Sequence, residues 1–200
     1  MLEAAQASLR ARKLLVLGGA RSGKSRFAEA WVAAQESPKL YIATAQARDA
    51  EMAARIAHHK KQRGPGWRTL EAPLDIVGAL GAYESPGVSV LVDCLTLWLS
   101  NLLEAQSDIG AQTERLAEQV ARSPARIALV SNEVGLGVVP ENALARRFQD
   151  EAGRLHQLLA QRMEAVVFVA AGLPLVMKAP PDPRQQNRER LRRREGRPDR

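Results

Sequence analysis

Gly18 and Gly23 stand with four residues between them, and Lys24 and Ser25 follow directly. That spacing is the pattern of a loop that wraps phosphate groups. Small residues at Gly18, Gly19, Ala20, Ser22 and Gly23, with Arg21 among them, let backbone N–H groups curl around phosphate oxygens. Lys24 reaches the outer phosphates and the Ser25 hydroxyl is of the right kind to ligate an accompanying Mg2+. The pattern predicts a nucleoside triphosphate as ligand.

Beside such a loop an acid is needed as a second group for the Mg2+, and Asp93 ends the apolar run Val88–Val92 where it would stand. The same aspartate would also serve as a cap for the helical pattern that follows it. Cys94, next to it, is most simply a small buried filler. In Glu51–Lys60, Met52, Ala53 and Ile56 share one helical face. His58 falls nearly opposite that face, among Glu51, Arg55 and Gln62, whereas His59 lies at its edge. One histidine is thus placed for solvent and substrate, the other for packing or orientation. An imidazole can act as nucleophile, base or ligand near neutral pH, and the spacing alone does not choose, since a solvated polar face would look the same. A metal site is disfavoured, because adjacent histidines diverge on a helix and no further ligand stands at the required spacing. Asn132-Glu133-Val134-Gly135 follows another apolar run, where α/β enzymes carry functional groups. Trp67 would stack on a base or fill the core.

The elements that must position these groups alternate between strand and helix. Strands are expected at Lys13–Leu17, Leu40–Ala43, Arg68–Glu71, Val88–Val92, Ile127–Ser131 and Ala165–Ala170, with a short last one at Leu175–Met177. Helices are expected at Lys24–Gln35, Asp49–Arg63, Leu74–Leu80, Leu95–Glu104, Thr113–Ala121 and from Pro140 to about Met163. A polar break separates the fourth and fifth of these around Ser107–Gly110. Continuous apolar strands between helices indicate an α/β fold, a mostly parallel sheet covered on both faces in three layers. Leu97, Trp98 and Leu99 would serve either a subunit contact or a buried helix face.

The 200 residues suit one domain, with no internal repeat and no second core. Every apolar run is interrupted by charge, so no membrane span is expected. Met1–Arg12 lacks the apolar core of a signal peptide, and one cysteine excludes an internal disulfide; both fit the cytoplasm. The net charge of +7 is unevenly placed: +4 lies in Ala179–Arg200, +1 in Met1–Arg12, and only +2 in Lys13–Lys178. Residues 1–12 therefore read as an extension, 13–178 as a single nucleotide-binding domain, and 179–200 as an Arg- and Pro-rich disordered tail. The neutral folded part argues against a nucleic-acid partner.

Taken together, GGARSGKSRFAE, YIATAQ, EMAARIAHHK, WRTLE, LVDCLTLWLSNLL, SNEVGLGVVPENALARRFQDEAGRLHQ and GLPLVMK resemble one family. It is the bifunctional adenosylcobinamide kinase/adenosylcobinamide-phosphate guanylyltransferase family of cobalamin (vitamin B12) biosynthesis. The resemblance implies a RecA-like P-loop fold and two reactions. In the first, the terminal phosphate of ATP or GTP passes to the aminopropanol hydroxyl of adenosylcobinamide. In the second, a histidine takes GMP from GTP and passes it to the cobinamide phosphate, giving adenosyl-GDP-cobinamide. The family's nucleophile matches His58, the histidine that the helical wheel makes accessible. Its nucleotide contacts match Gly18–Ser25, then Gln46, Ala47 and Arg48, then His59, Lys60, Lys61 and Gln62, and finally Glu71 and Asp93. A homo-oligomer, with a trimer as the suggested form, is implied as well. Against it stand another P-loop small-molecule kinase, a RecA-like ATPase that binds nucleic acid, and a GTP-binding scaffold without turnover.

Overall fold

The computed structural model describes residues 10–181 except 48 and 84, and in helix 50–63 it leaves out the side chains of 51, 52, 55, 58, 59 and 62. The extension and tail expectations fall largely outside the described residues, as do those for Arg48 and the His58, His59 and Gln62 side chains.

Five parallel strands and one antiparallel edge strand flank the strand that carries the glycine loop. The strands are β1 (Lys13–Gly18), β2 (Lys39–Ala43), β3 (Trp67–Glu71), β4 (Ser89–Asp93), β5 (Arg126–Asn132), β6 (Ala165–Ala170) and β7 (Leu173–Lys178). They form one sheet in the order β3-β2-β4-β5-β1-β6-β7, and only β6 and β7 pair antiparallel. The helices are α1 (Lys24–Ala33), α2 (Ala50–Arg63), α3 (Ile76–Gly81), α4 (Leu95–Glu104), α5 (Ile109–Arg122) and α6 (Ala143–Arg162).

β1 and β4 are buried along their whole length, as continuous apolar runs in a sheet covered on both faces should be. Their alternation divides the core. Leu15, Val92 and Leu129 pack with Leu95, Trp98, Leu99, Leu116 and Leu155 on one face. Leu14, Val16, Leu91 and Val130 pack with Ala28, Trp31 and Val32 of α1 on the other. Trp98 and Leu99 are fully buried, and the Trp98 indole N–H donates to Leu74 O at 2.8 Å, so these two residues serve the core and not a subunit contact. Trp67 packs its ring against Tyr41 at 6.4 Å in an edge-on contact, which settles it as a packing residue.

Three helix starts differ from expectation for the same reason. α3 begins at Ile76 and not at Leu74, because the Asp75 carboxylate caps it by accepting from Gly78 N–H at 2.8 Å. α5 begins at Ile109, inside the expected polar break, because the Asp108 carboxylate caps it by accepting from Ala111 N–H at 3.0 Å. α6 begins at Ala143, after Pro140, because Asn142 Oδ1 accepts from Leu144 N–H at 2.8 Å and Ala145 N–H at 3.1 Å. The last strand is longer than expected, running on both sides of Leu175–Met177.

β5 lies between the loop-bearing β1 and the Asp93-bearing β4. This order, with the helices on both faces, is that of a RecA-like P-loop fold. The registers Gly18↔Asn132, Ala43↔Glu71 and Ala43↔Asp93 bring these residues to one edge, the carboxyl edge of the parallel strands, where open α/β sheets hold their ligands.

Candidate active site

The loop from Gly18 to Ser25 is shaped by two glycines. A Cβ at Gly18 would lie 2.4 Å from Val169 O, so β1 can approach β6 there only without a side chain. Gly23 heads α1 with φ of 95°, a left-handed conformation that glycine adopts without strain, and accepts from Phe27 N–H at 3.0 Å. Neighbouring strands brace the loop: Gly18 O accepts from Glu133 N–H at 3.0 Å, and Ser22 O accepts from Gly172 N–H at 2.8 Å. The Lys24 side chain is buried and folds back so that Nζ donates to Gly19 O at 3.1 Å. Buried Ser22 Oγ has no hydrogen-bond partner among the described residues.

Beside this loop is a cavity of about 310 Å³ at the carboxyl edge. Its wall includes Lys24, Ser25, Tyr41, Ala47, Ile56, Lys60, Arg63, Thr69, Glu71, Asp93, Cys94, Leu97 and Asn132. Six of the expected contact residues are therefore brought together: Lys24, Ser25, Ala47, Lys60, Glu71 and Asp93. Gly18–Gly23 form the adjoining loop, of which Ala20 and Arg21 are exposed; Gln46 and Lys61 are exposed outside the cavity wall. α2 faces the cavity with Ile56, Lys60 and Arg63, residues one turn apart along one stripe.

Asp93 is nearly buried and held from two sides. Tyr41 Oη donates to Asp93 Oδ2 at 3.1 Å, and Thr44 N–H donates to Asp93 O at 3.2 Å. Burial, with the Asp93 charge behind it, pushes the Tyr41 phenol well above its ordinary range, so it stays a neutral donor. The Arg63 guanidinium lies over the same ring, its carbon 3.3 Å from the centroid. Thr44 Oγ1 donates to Cys94 O and accepts from Cys94 N–H, both at 2.8 Å, which locks the backbone that follows Asp93. Asn132 Nδ2 donates to Thr96 Oγ1 at 2.8 Å across the mouth of β5. Cys94 is a buried residue as expected, but it also lines the cavity; burial, then the Asp93 charge, raises its thiol pKa.

Sequence reasoning passed over Tyr41, Arg63 and Thr69. It also missed His156, whose Nε2 is 2.7 Å from Ser131 Oγ and whose Nδ1 is 3.6 Å from Glu133 Oε2. Glu133 Oε1 in turn accepts from Gly135 N–H at 2.5 Å, so this histidine, buried under β5, anchors the loop beside Gly18. The signal was present: Ala152, Leu155, His156 and Leu159 make one apolar stripe of α6, and a histidine on such a stripe needs a polar partner.

This architecture agrees with comparison to known proteins. The model of the cobinamide kinase / cobinamide phosphate guanyltransferase family matches residues 14–177. The chain belongs to this family. It is 52% identical over 169 residues to the bifunctional adenosylcobalamin biosynthesis protein CobP of Pseudomonas aeruginosa, covering 84% of this chain and 98% of that protein. It is 42% identical over 181 residues to the bifunctional adenosylcobalamin biosynthesis protein CobU of Salmonella typhimurium, covering 82% of this chain and 99% of that protein. A solved ATPase of a type III secretion system of pathogenic bacteria shares the fold alone, at 11% identity and a TM-score of 0.51, over 86% of this chain and 60% of its own. Family membership makes the chain a nucleotide-using transferase, and the cavity is where its loop, its buried lysine and its aspartate meet.

Proposed function

We propose that this chain is an adenosylcobinamide kinase and adenosylcobinamide-phosphate guanylyltransferase acting in cobalamin biosynthesis. The observation that carries this reading is the meeting of Lys24, Ser25 and Asp93 with Lys60 and Glu71 around one cavity at the sheet's carboxyl edge. In the kinase step the aminopropanol hydroxyl oxygen of adenosylcobinamide attacks the γ-phosphorus of ATP or GTP. The bond to the β–γ bridging oxygen breaks, the hydroxyl proton is lost, and the nucleoside diphosphate leaves. Lys24 offsets the charge on the moving phosphoryl group, and the loop amides hold it in line.

In the second step the His58 imidazole attacks the α-phosphorus of GTP and pyrophosphate leaves, giving a guanylyl-histidine. A phosphate oxygen of the cobinamide phosphate then attacks that phosphorus and the His58–phosphorus bond breaks. Gly18–Ser25, Gln46–Arg48, His59–Gln62, Glu71 and Asp93 serve as nucleotide contacts in this reading, as their match to the family motifs suggests.

Ser25 and Asp93 would hold Mg2+. The donor set fits, being a hydroxyl and a carboxylate on one cavity, and no group of three or more His, Cys, Asp or Glu that could hold a metal occurs among the described residues. Mg2+ characteristically keeps waters and shares phosphate oxygens, supplying neutralisation of phosphate charge when bound. We further read residues 13–178 as the catalytic unit and the protein as a cytoplasmic homo-oligomer, with a trimer as its form. The exposed Leu136, Val138, Leu173 and Leu175 support subunit contacts, and no helix among the described residues is long and apolar enough to cross a membrane.

The test is incubation with adenosylcobinamide, magnesium and either triphosphate, followed by chromatography of the corrinoids. Cobinamide phosphate should form first, and adenosyl-GDP-cobinamide when GTP is present. Formation of the phosphate alone would point to a simple P-loop kinase.

A further inference from the structure

Arg63 ends α2 and stands on the cavity wall in line with Ile56 and Lys60, two turns and one turn before it. Its Nη1 is buried and has no hydrogen-bond acceptor among the described residues. A buried guanidinium N–H without an acceptor is unfavourable, and a charged one more so than a neutral one. Its cationic carbon nevertheless has a firm seat, 3.3 Å from the centroid of the Tyr41 ring. That ring is fixed by its hydroxyl on Asp93 Oδ2 at 3.1 Å and by the edge-on Trp67 at 6.4 Å. The guanidinium is therefore seated over the ring while its Nη1 lacks an acceptor among the described residues. Of the charged residues on the cavity wall, Lys24, Lys60 and Arg63 outnumber Glu71 and Asp93, so the wall favours an anion.

We propose that Arg63 binds a phosphate oxygen of substrate in this cavity, with Tyr41 as the residue that holds its guanidinium in place. This rests on the two reactions proposed above and adds to them a residue for which the family's matched nucleotide contacts give no role. A planar fork suits phosphate better than an ammonium does, and Arg63 already stands on the cavity wall. The phosphate belongs either to the nucleotide or to the cobinamide phosphate, and the two sources separate by experiment.

The deciding variant is Arg63→Lys, which keeps a cation over Tyr41 but loses the fork; Arg63→Met removes the charge and keeps the stem. Thermal melting establishes that each folds as wild type. Three readings are taken: the rate of guanylyl-enzyme formation from GTP alone, the KM for cobinamide phosphate in its discharge, and the kinase KM for the triphosphate. A nucleotide phosphate on Arg63 slows adduct formation or raises the triphosphate KM roughly tenfold or more in both variants. An acceptor phosphate leaves adduct formation unchanged and raises the cobinamide phosphate KM by a similar factor. Either result supports the proposal. Folded Arg63→Lys and Arg63→Met with wild-type values in all three readings would overturn it. Wild-type protein that forms no adduct counts instead against the guanylyltransferase reading itself.

Discussion

Tyr41 and Asp93 sit on neighbouring parallel strands, β2 and β4, and the tyrosine hydroxyl donates to Asp93 Oδ2 at 3.1 Å. The bond fixes the carboxylate at the sheet edge, on the wall of the cavity that Lys24 and Ser25 also line. Tyr41→Phe keeps the ring beneath Arg63 and removes only this donor. It should lower the kinase kcat about three- to tenfold, the effect of about 1 kcal/mol of lost hydrogen bonding, with a raised magnesium requirement. An unchanged magnesium titration would detach Tyr41 from the metal site.

Lys24 is the buried cation of the loop, and its Nζ donates to a loop carbonyl, Gly19 O, at 3.1 Å. Lys24→Ala should fold normally and lose kinase turnover by about a hundredfold or more, as removal of an electrostatic group from a transition state does. Steady-state kinetics with adenosylcobinamide checks this. Retention of wild-type turnover would contradict the role given to the loop.

His156 gives the fold a pH dependence. Burial, only partly opposed by Glu133, lowers its pKa below the ordinary 6.5. On acidification the unfolded imidazole takes up a proton first, so the unfolded state binds more protons and stability falls as the pH drops below about 6.5. Above that value the His156 contribution is fully present. Urea midpoints measured between about pH 7 and pH 5 should fall, and His156→Gln should flatten the slope. Equal slopes in both proteins would show that His156 is protonated in the folded state too.

Cys94 lines the cavity, yet its thiol is 2.8 Å from Thr96 Oγ1, and burial, together with the Asp93 charge, disfavours the thiolate. Alkylation at mildly alkaline pH should be slow in the native protein and rapid in denaturant, with mass spectrometry counting the label. Fast native labelling would mean that the Asp93–Cys94 segment opens readily.

Much of this was readable in the residues. The glycine loop was legible because its chemistry dictates its spacing, and β1 and β4 because strands buried on both faces cannot alternate with polar residues. Asp108 and Asn142 are residue types that cap helices, but that they do so here depends on the side-chain hydrogen bonds to Ala111 N–H and to Leu144 and Ala145 N–H. The Tyr41–Arg63 pair was not legible, since it depends on where the end of α2 falls against β2, a matter of tertiary packing. His156 lies between: its place on an apolar stripe could be read, but its Ser131 and Glu133 partners come from β5 and the loop after it, which only the fold brings under α6.

In the transfer reaction proposed above, His58 carries the guanylyl group. Intact-protein mass spectrometry after exposure to GTP and magnesium measures this directly, on wild type, His58→Asn and His59→Asn. One added guanylyl group is expected in wild type, labile to acid and stable to base, and none in His58→Asn. An adduct that persists in His58→Asn and vanishes in His59→Asn would contradict it.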